Sequence, residues 1–567
     1  MLDTPFVLLD DQVSHRQLCF TDPERVLVHS MGDSVDKLFA DIEAALADGF
    51  WIAGLFDYEF GAALEPRLAR IARDGAELAR LGVFRAPSDH PPAQLLYRAR
   101  PPEVDLSPVW SEADYAKRFA RVQAYLRAGD AYQVNLTFPM TGETDGDAAA
   151  VYAGYRRRQP GRYGAVVSLG GPDVVSFSPE LFFERNGADI RMRPMKGTRP
   201  KSARDDMRAD DKSRAENLMI VDLLRNDLSR LCEPGSVTVP ELFTLEDYPT
   251  LTQMTSSVTG RLRADVDWQA VFRALFPCGS VTGAPKIRAM EIIDELEAGP
   301  RGAYCGSVGF IAPDGNAAFS VAIRTAVLEG GRLRYDVGSG VVLDSEAGDE
   351  YRECLLKAEL LRVPEEEAIE TMRWEPGQGV VRRARHAARL RAAVPEAAFD
   401  DVLEHADVDG PSRIRITAST RSGKTITQAS AEPLAAISEP VTFALSRHAL
   451  TDAVQTTAFK TSFRDFYDGE RARVSALTGA AEVLFLDAEG RLKEGSFTSL
   501  FVQRGKRLLT PAGPGLLPGV LRAELLGQGV AREAELTVAD LETADAVFVG
   551  NSLRGLMRAT SMDFERH

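Results

Sequence analysis

Apolar and polar positions alternate in ways that predict a succession of short strands and amphipathic helices. Apolar runs at Phe6 to Leu9 and Gly49 to Phe56 have the length and composition of strands. Tyr115, Phe119, Val122 and Leu126 recur at helical spacing, and Gly129-Asp130 stops that helix. Ala131 to Phe138 then alternates as a strand with Gln133, Asn135 and Thr137 on one face, a row of uncharged polar groups that reads as solvated. Val174 to Gly187 and Ala188 to Arg199 predict two strands joined by an Asn186-Gly187 turn, which brings Glu180 and Lys196 close together. Strict pairing would place those two on opposite faces, but Pro194 and Gly197 interrupt the second strand.

Two helices follow from the same pattern. Asp211 to Leu231 carries an apolar stripe of Ile220, Leu224, Leu228 and Leu231, with Glu216 at its edge. Glu350, Glu353 and Lys357 share one face of the other, where surface ion pairing is the plain reading. No fixed repeat runs through these elements. An acidic, Pro-containing connector, Arg362 to Glu370, marks a boundary near 365, with a softer break at Ser438-Glu439-Pro440. The expected division is 1–364, then 365–567 in two parts, 365–440 and 441–567.

With 567 residues, 44% hydrophobic and 26% charged, the chain can build large cores and is not globally disordered. Its net charge of −16 argues against nucleic acid as a partner, because such affinity comes mainly from Lys and Arg on phosphates. Five dispersed cysteines indicate neither a disulfide framework nor a zinc ribbon. The first residues lack a basic, apolar signal, and nowhere do eighteen apolar residues run together, so a cytoplasmic chain without a membrane span is expected. None of the seven histidines falls between 91 and 385. Acid–base work there belongs to Glu, Asp, Lys or Tyr, and a metal site would have oxygen ligands, which favours Mg²⁺ over zinc.

Ser178-Pro-Glu180, Pro194-Met-Lys-Gly-Thr198, Ala215 to Asp227, Gly279-Ser-Val-Thr-Gly-Ala-Pro-Lys286, Tyr304 to Gly309, Ala322-Ile-Arg324, Gly338-Ser-Gly340 and Glu350-Tyr-Arg-Glu353 together resemble the chorismate-utilising enzymes. The match runs in order over roughly residues 110 to 362. It implies a large α+β sandwich of antiparallel sheets with outer helices, and chorismate as substrate. It implies Mg²⁺ held by Glu216 and Glu353, with Glu350 behind them. Tyr304 and Arg324 would contact the enolpyruvyl carboxylate, a task that suits an Arg fork. Gly338 and Gly340 would let backbone N–H groups approach the same anion. Thr282 and Lys357 are further substrate-binding candidates, and Lys286 is a weaker one.

Two positions choose among branches of that family. Gln133 stands where the water-using members carry a lysine base, so ammonia is the expected nucleophile. Lys196 stands where anthranilate synthases have alanine, and Pro-x-Lys-Gly-Thr marks the aminodeoxychorismate synthase branch. There the lysine amine attacks ring carbon 2, the 4-hydroxyl leaves with Glu180 as general acid, and ammonia enters at carbon 4. Gln253 departs from the pattern, because anthranilate and salicylate synthases have histidine at that place. No cysteine sits in the Gly-x-Cys-x-Gly turn of a glutaminase. The resemblance therefore implies a separate glutamine amidotransferase subunit.

After 365, Ile369-Glu-Thr-Met-Arg373, His386 to Leu390, Phe459-Lys-Thr-Ser-Phe-Arg464, Glu494 to Ser499, Leu517-Pro-Gly-Val520 and Asn551-Ser-Leu-Arg-Gly555 resemble branched-chain-aminotransferase-like enzymes of fold type IV, aminodeoxychorismate lyases among them. The resemblance implies pyridoxal 5'-phosphate, with Lys460 as its Schiff-base lysine and Glu494 opposite the pyridine nitrogen. Arg389, Gly519, Val520 and Ser552 would hold the phosphate, the helix opening at Pro518-Gly519 presenting free N–H groups. It also implies a homodimer through this part. The segment between 391 and 445 is short for such a fold. The joint reading is synthesis of 4-aminobenzoate. Anthranilate synthase component I with an inactive tail, and a glutaminase-docking scaffold, stand as alternatives.

Overall fold

The computed structural model describes residues 5–71, 75–200, 211–247, 251–297, 299–363, 365–404, 410–421, 423–455 and 458–567. Tyr248, Pro249, Thr250, Pro364 and His405 lie outside them. Two compact units emerge, Met1–Pro91 with Pro102–Arg362, and Pro92–Pro101 with Val363–His567.

Among the described residues, the first unit forms a nine-stranded and a ten-stranded sheet. One apolar layer takes Val7, Phe20 and Val167 from the former and Ala53, Leu55 and Val308 from the latter, so the sheets stack face to face. A second layer packs Leu38, Ile220, Leu224 and Phe272 of the helices Val35–Ala47, Asp211–Ser229 and Trp268–Leu275 against Phe56, Phe183 and Phe319 of the ten-stranded sheet. Ile220, Leu224 and Leu228 are essentially water-free, and full burial of such side chains contributes about 1.5–3 kcal/mol each.

Sequence and structure agree closely on the helix Glu112–Ala128, which Ser111 caps and Gly129, at φ 79°, ends. They differ on the strand after it. Gln133, Asn135 and Thr137, expected at a solvated face, are buried within Gln133–Thr144, which has neighbours on both edges. The expected hairpin also needs correction. Its first strand is two strands, Asp173–Ser178 in the nine-stranded sheet and Leu181–Asn186 in the ten-stranded one. The Pro179-Glu180 step carries the chain across. The second strand is likewise broken at Pro194 into Asp189–Arg193 and Met195–Pro200.

The second unit pairs a four-stranded sheet, Ala368 to Pro433, with an eight-stranded sheet of mixed direction, Val441 to Arg566. Pro92–Pro101, although upstream in sequence, belongs to this unit. Tyr97 explains why. It packs edge-on to Phe466 with ring centroids 5.3 Å apart, and its hydroxyl donates to the buried Glu470 carboxylate at 3.0 Å. Glu470 also accepts from Ser446 and Arg473 and lies 3.0 Å from His448 Nδ1. Tyr97→Phe should therefore lower the stability of the second unit by about 1–3 kcal/mol, the cost of leaving a buried charged acceptor short of one bond, read as a lower midpoint in thermal denaturation. An unchanged midpoint would remove Tyr97 from the network.

Candidate active sites

In the first unit the crossing between sheets positions Glu180. Ser178 Oγ donates to the Val321 carbonyl at 2.6 Å and accepts from the Glu180 N–H at 3.2 Å, while Val321 N–H donates to the Glu180 carbonyl at 3.1 Å. These bonds fix a carboxyl that is 3% exposed. Burial pushes it up to about 7, against the pull of Ser280, the Lys196 charge and the Met195 N–H. Its Oε1 has no hydrogen-bond partner among the described residues.

Lys196 comes near enough for its charge to act on this carboxyl, on a strand that is irregular. Lys196 pairs with Met254, and the register shifts before Thr198, at Gly197 with φ 73°. A left-handed residue and a bulge re-aim side chains that regular pairing would send to opposite faces. Gln133 completes the group. It is 1% exposed, and both atoms of its amide lack partners among the described residues. Gly340 closes the same space: a Cβ there would stand 2.5 Å from Gln133 Nε2 and 3.5 Å from Lys196 Nζ. Unpaired buried polar atoms cost about 1–3 kcal/mol each. Glu180 and Gln133 holding several in one place is the signature of a polar ligand site.

Other expected residues are held by local bonds. Thr282 directs its hydroxyl to the carbonyls of Cys278 and Gly279 at 3.2 Å, and its own carbonyl accepts from Asn135 N–H. Gly338 lies across from Thr137, and its carbonyl accepts from Lys357 Nζ at 2.7 Å. Tyr304 is buried, which pushes its phenol well above the usual range. Arg324 adopts φ 53° and donates to Gln159 Oε1 at 2.9 Å. Lys286 pairs with Asp227 at 3.0 Å and donates to the Leu275 carbonyl, a structural role. Gln253 is buried with its Oε1 unpaired, on the strand that pairs with Met195–Pro200. Ser280, inside the Gly279 to Lys286 motif but not singled out, is the missed residue, bonding Glu180 and lying 3.2 Å from Cys278 Sγ.

The three carboxylates expected around Mg²⁺ are less gathered. Glu216 is half-buried on Asp211–Ser229, Glu350 is buried on Ala347–Ala358, and Glu353, exposed, is 2.8 Å from Lys357 Nζ. Among the described residues no three Asp, Glu, His or Cys side chains form a metal-ligand group. Three carboxylates are nonetheless the oxygen donors that a hard divalent ion takes.

The second unit brings its expected residues together. Lys460 Nζ is 2.9 Å from Thr371 Oγ1. Burial, reinforced by Arg464 and Arg389, lowers its amine to about 7. Arg389 grips both oxygens of Glu370 at 2.7 Å and donates to the Pro518 carbonyl at 2.8 Å, so it reaches the turn that opens helix Val520–Gly527. His386 bridges Glu370 Oε2, 2.5 Å from Nδ1, and Ser552 Oγ, 2.7 Å from Nε2. Although burial pushes Glu370 up, the bonds from His386 and Arg389 hold it below the usual carboxylate range. Gly519 leaves room for Ser499, whose Oγ a Cβ would approach to 2.8 Å.

Glu494 is buried and pushed up to about 7, accepting from Tyr467 and from Leu517 N–H at 3.2 Å. Glu482 holds the following turn, accepting from Ser496 N–H and the hydroxyls of Ser496 and Thr498. A buried amine near neutrality, a buried acid, and an Arg bonded to the turn that opens a helix fit pyridoxal phosphate, which would place the acid at its ring nitrogen and the Arg at its phosphate. Thr371, Glu370, His386, Tyr467 and Glu482 had no assigned roles in the sequence, because nothing in their spacing shows which side chains meet.

All five cysteines are buried and none is in a disulfide. Burial pushes Cys19 and Cys232 up to about 11 and Cys278, Cys305 and Cys354 to about 12, unlike the low-pKa thiols that act as nucleophiles.

Residues 4–362 match the family described as chorismate binding enzyme, and residues 367–562 match amino-transferase class IV. Aminodeoxychorismate synthase component 1 of Klebsiella aerogenes is 45% identical over 255 residues, 44% of this chain and 56% of that protein. Anthranilate synthase component 1 of Streptomyces coelicolor is 41% identical over 257 residues, 44% of this chain and 50% of that protein. The chain thus spans little more than half the length of these relatives. The crystal structure of anthranilate synthase component I from Streptococcus pneumoniae superposes with a TM-score of 0.52 at 22% identity, covering 64% of this chain and 91% of that one, which is a likeness of fold. No described helix is long and apolar enough to cross a membrane. With a family match over more than half its length, a stacked-sheet unit of the same fold and a buried polar site on the family's motifs, the chain belongs to the chorismate binding enzymes and carries an amino-transferase class IV domain behind that unit.

Proposed function

We propose that the chain makes 4-aminobenzoate from chorismate in two steps, aminating ring carbon 4 in the first unit and eliminating pyruvate in the second. The observation that supports this reading most is the buried Glu180 carboxyl, raised to about 7 and acted on by the charge of Lys196, with Lys196 and Gln133 both bordering Gly340. A near-neutral carboxyl can deliver a proton to a departing hydroxyl. The amine of Lys196, attacking as the free base, forms a bond to carbon 2 while the two conjugated ring double bonds each shift by one position and the 4-hydroxyl leaves as water with the Glu180 proton. Ammonia then bonds to carbon 4, the double bonds shift back, and the Lys196 amine departs. Gln133 offers no base to activate water, consistent with ammonia as nucleophile. The aminodeoxychorismate synthases among the relatives support this branch, and the anthranilate synthases make product identity the decisive test.

In the second step, pyridoxal phosphate, when bound, withdraws electrons from the carbon that loses its proton. Lys460 holds the cofactor and takes that proton from carbon 4. A proton returns to the enolpyruvyl methylene, pyruvate leaves and the ring becomes aromatic. Glu494 keeps the ring nitrogen charged, and Arg389, Gly519, Val520 and Ser552 anchor the phosphate. Glu216, Glu353 and Glu350 would hold Mg²⁺, which when bound would supply positive charge for a substrate carboxylate. With five deeply buried thiols, the chain draws ammonia from a separate glutamine amidotransferase. Location in the cytoplasm and dimerisation through the second unit complete the proposal.

Purified chain with chorismate, ammonium, Mg²⁺ and pyridoxal phosphate should yield 4-aminobenzoate and pyruvate by chromatography and mass spectrometry, and glutamine should not replace ammonium. Lys196→Ala or removal of Mg²⁺ with a chelator should abolish the first step. Formation of 2-aminobenzoate instead would overturn the role of Lys196.

With free ammonia held constant, amination should show a limb that falls as pH rises through about 7, because the raised Glu180 carboxyl is protonated below that point and gives up its proton above it. Glu180→Gln should remove that limb from the profile. The same shift makes Glu180 a proton sink for the folded chain between the ordinary carboxyl range and 7, so its contribution to stability is present at low pH and lost as pH rises through 7. A profile at constant free ammonia that Glu180→Gln leaves unchanged would contradict the general-acid assignment.

A further inference from the structure

The second unit contains a cavity of about 460 Å³ lined by Arg373, Glu375, Gln378, Arg382, Ser552 and Arg554, among others. Arg373 lies two residues beyond Thr371 on strand Ala368–Glu375, so the two share a face of the sheet. Thr371 is the group 2.9 Å from Lys460 Nζ. On the neighbouring strand, Arg415 stands directly across from Thr371 and Arg413 across from Arg373. The arginine-lined cavity and the reactive amine therefore border the same face of the small sheet.

Most of these guanidiniums are already paired. Arg373 bonds Glu375, Arg382 Nε lies 2.6 Å from Glu524, and Arg413 lies 2.8 Å from Glu432. Arg554 differs. Among the described residues no carboxylate pairs with it, although it is half-buried and held in place by its own N–H bond to Asn551 Oδ1 at 2.9 Å. Burial, with the positive charges of Arg373 and Arg413, pushes its pKa down. Gathering like charges around a partly desolvated guanidinium is unfavourable in the protein alone and becomes favourable when an anion joins them. The planar fork of Arg suits a carboxylate held by two bonds.

We propose that Arg554, flanked by Arg373 and Arg413, receives a second carboxylate of the amine substrate and so selects dicarboxylic amines in the second unit. The inference rests on Lys460 being the cofactor lysine, and it deepens the proposed second step, whose substrate carries two carboxylates. An amine with one carboxylate would leave Arg554 unpaired. Phosphate of the cofactor is the other oxyanion near Ser552, and the test separates the two.

Full-length chain loaded with pyridoxal phosphate would be titrated calorimetrically with glutarate and with butyrate, as wild type, Arg554→Gln and Arg554→Lys, and cofactor affinity measured for each. Wild type should prefer glutarate by about tenfold, close to 1.4 kcal/mol. Arg554→Gln should erase that preference, Arg554→Lys should retain part of it, and cofactor affinity should be the same in all three. A preference that survives Arg554→Gln would overturn the proposal. So would cofactor affinity that falls in Arg554→Gln while glutarate binding holds, since Arg554 would then serve the phosphate. If wild type shows the Arg554-dependent preference yet forms no 4-aminobenzoate, the dicarboxylate site stands and the lyase reading alone fails.

Discussion

A carboxyl group removed from water must either keep its proton or find a cation, and the first unit arranges Glu180 so that neither outcome is complete. Burial holds the proton near neutral pH, and the Lys196 amine pulls against it. That balance depends on the backbone. The chain passes between stacked sheets at Pro179-Glu180, and the Ser178 and Val321 bonds allow the passage little freedom. The kinked strand at Gly197 brings the amine from the other side. The apolar layers that join the sheets thus serve chemistry by keeping water from one carboxyl.

The second unit solves a related problem with the opposite sign. Lys460 must give up its charge readily, and burial plus two arginines lowers its amine to about 7. Glu370 keeps the arrangement from flying apart, since one buried carboxylate neutralises Arg389 and bonds His386. The Arg389 that helps lower the lysine also touches the helix-opening turn at Pro518. One guanidinium therefore links the electrostatics of the amine to the anion cradle, and its removal would be felt at both.

Much of this was legible in the residues. Lys196, Glu180, Lys460, Glu494 and Arg389 stood out in ordered motifs, and the stripe Ile220, Leu224, Leu228 marked a packed helix face that proved buried. What could not be read were facts of long-range placement. The run Val174 to Gly187 looks like one strand, because a residue's apolar character is the same whichever sheet it joins. Gln133, Asn135 and Thr137 looked solvated, because alternation reports that a face is polar and not whether another strand covers it. Tyr97 sits in a Pro-rich stretch with no periodicity, and its bond to Glu470 spans 373 positions. Ser280, Glu482 and Arg554 acquire meaning only from neighbours distant in sequence.

Amination by this route requires Lys196 to act as a nucleophile rather than as a counter-ion for Glu180. The most direct measurement is the mass of the full chain, and of its Lys196 peptide, after quenching with chorismate and Mg²⁺ in the absence of ammonia. A gain equal to chorismate less one water, confined to the peptide containing Lys196 and lost when ammonium is added, is the predicted result. An unmodified Lys196 in a chain that still aminates carbon 4 would contradict it.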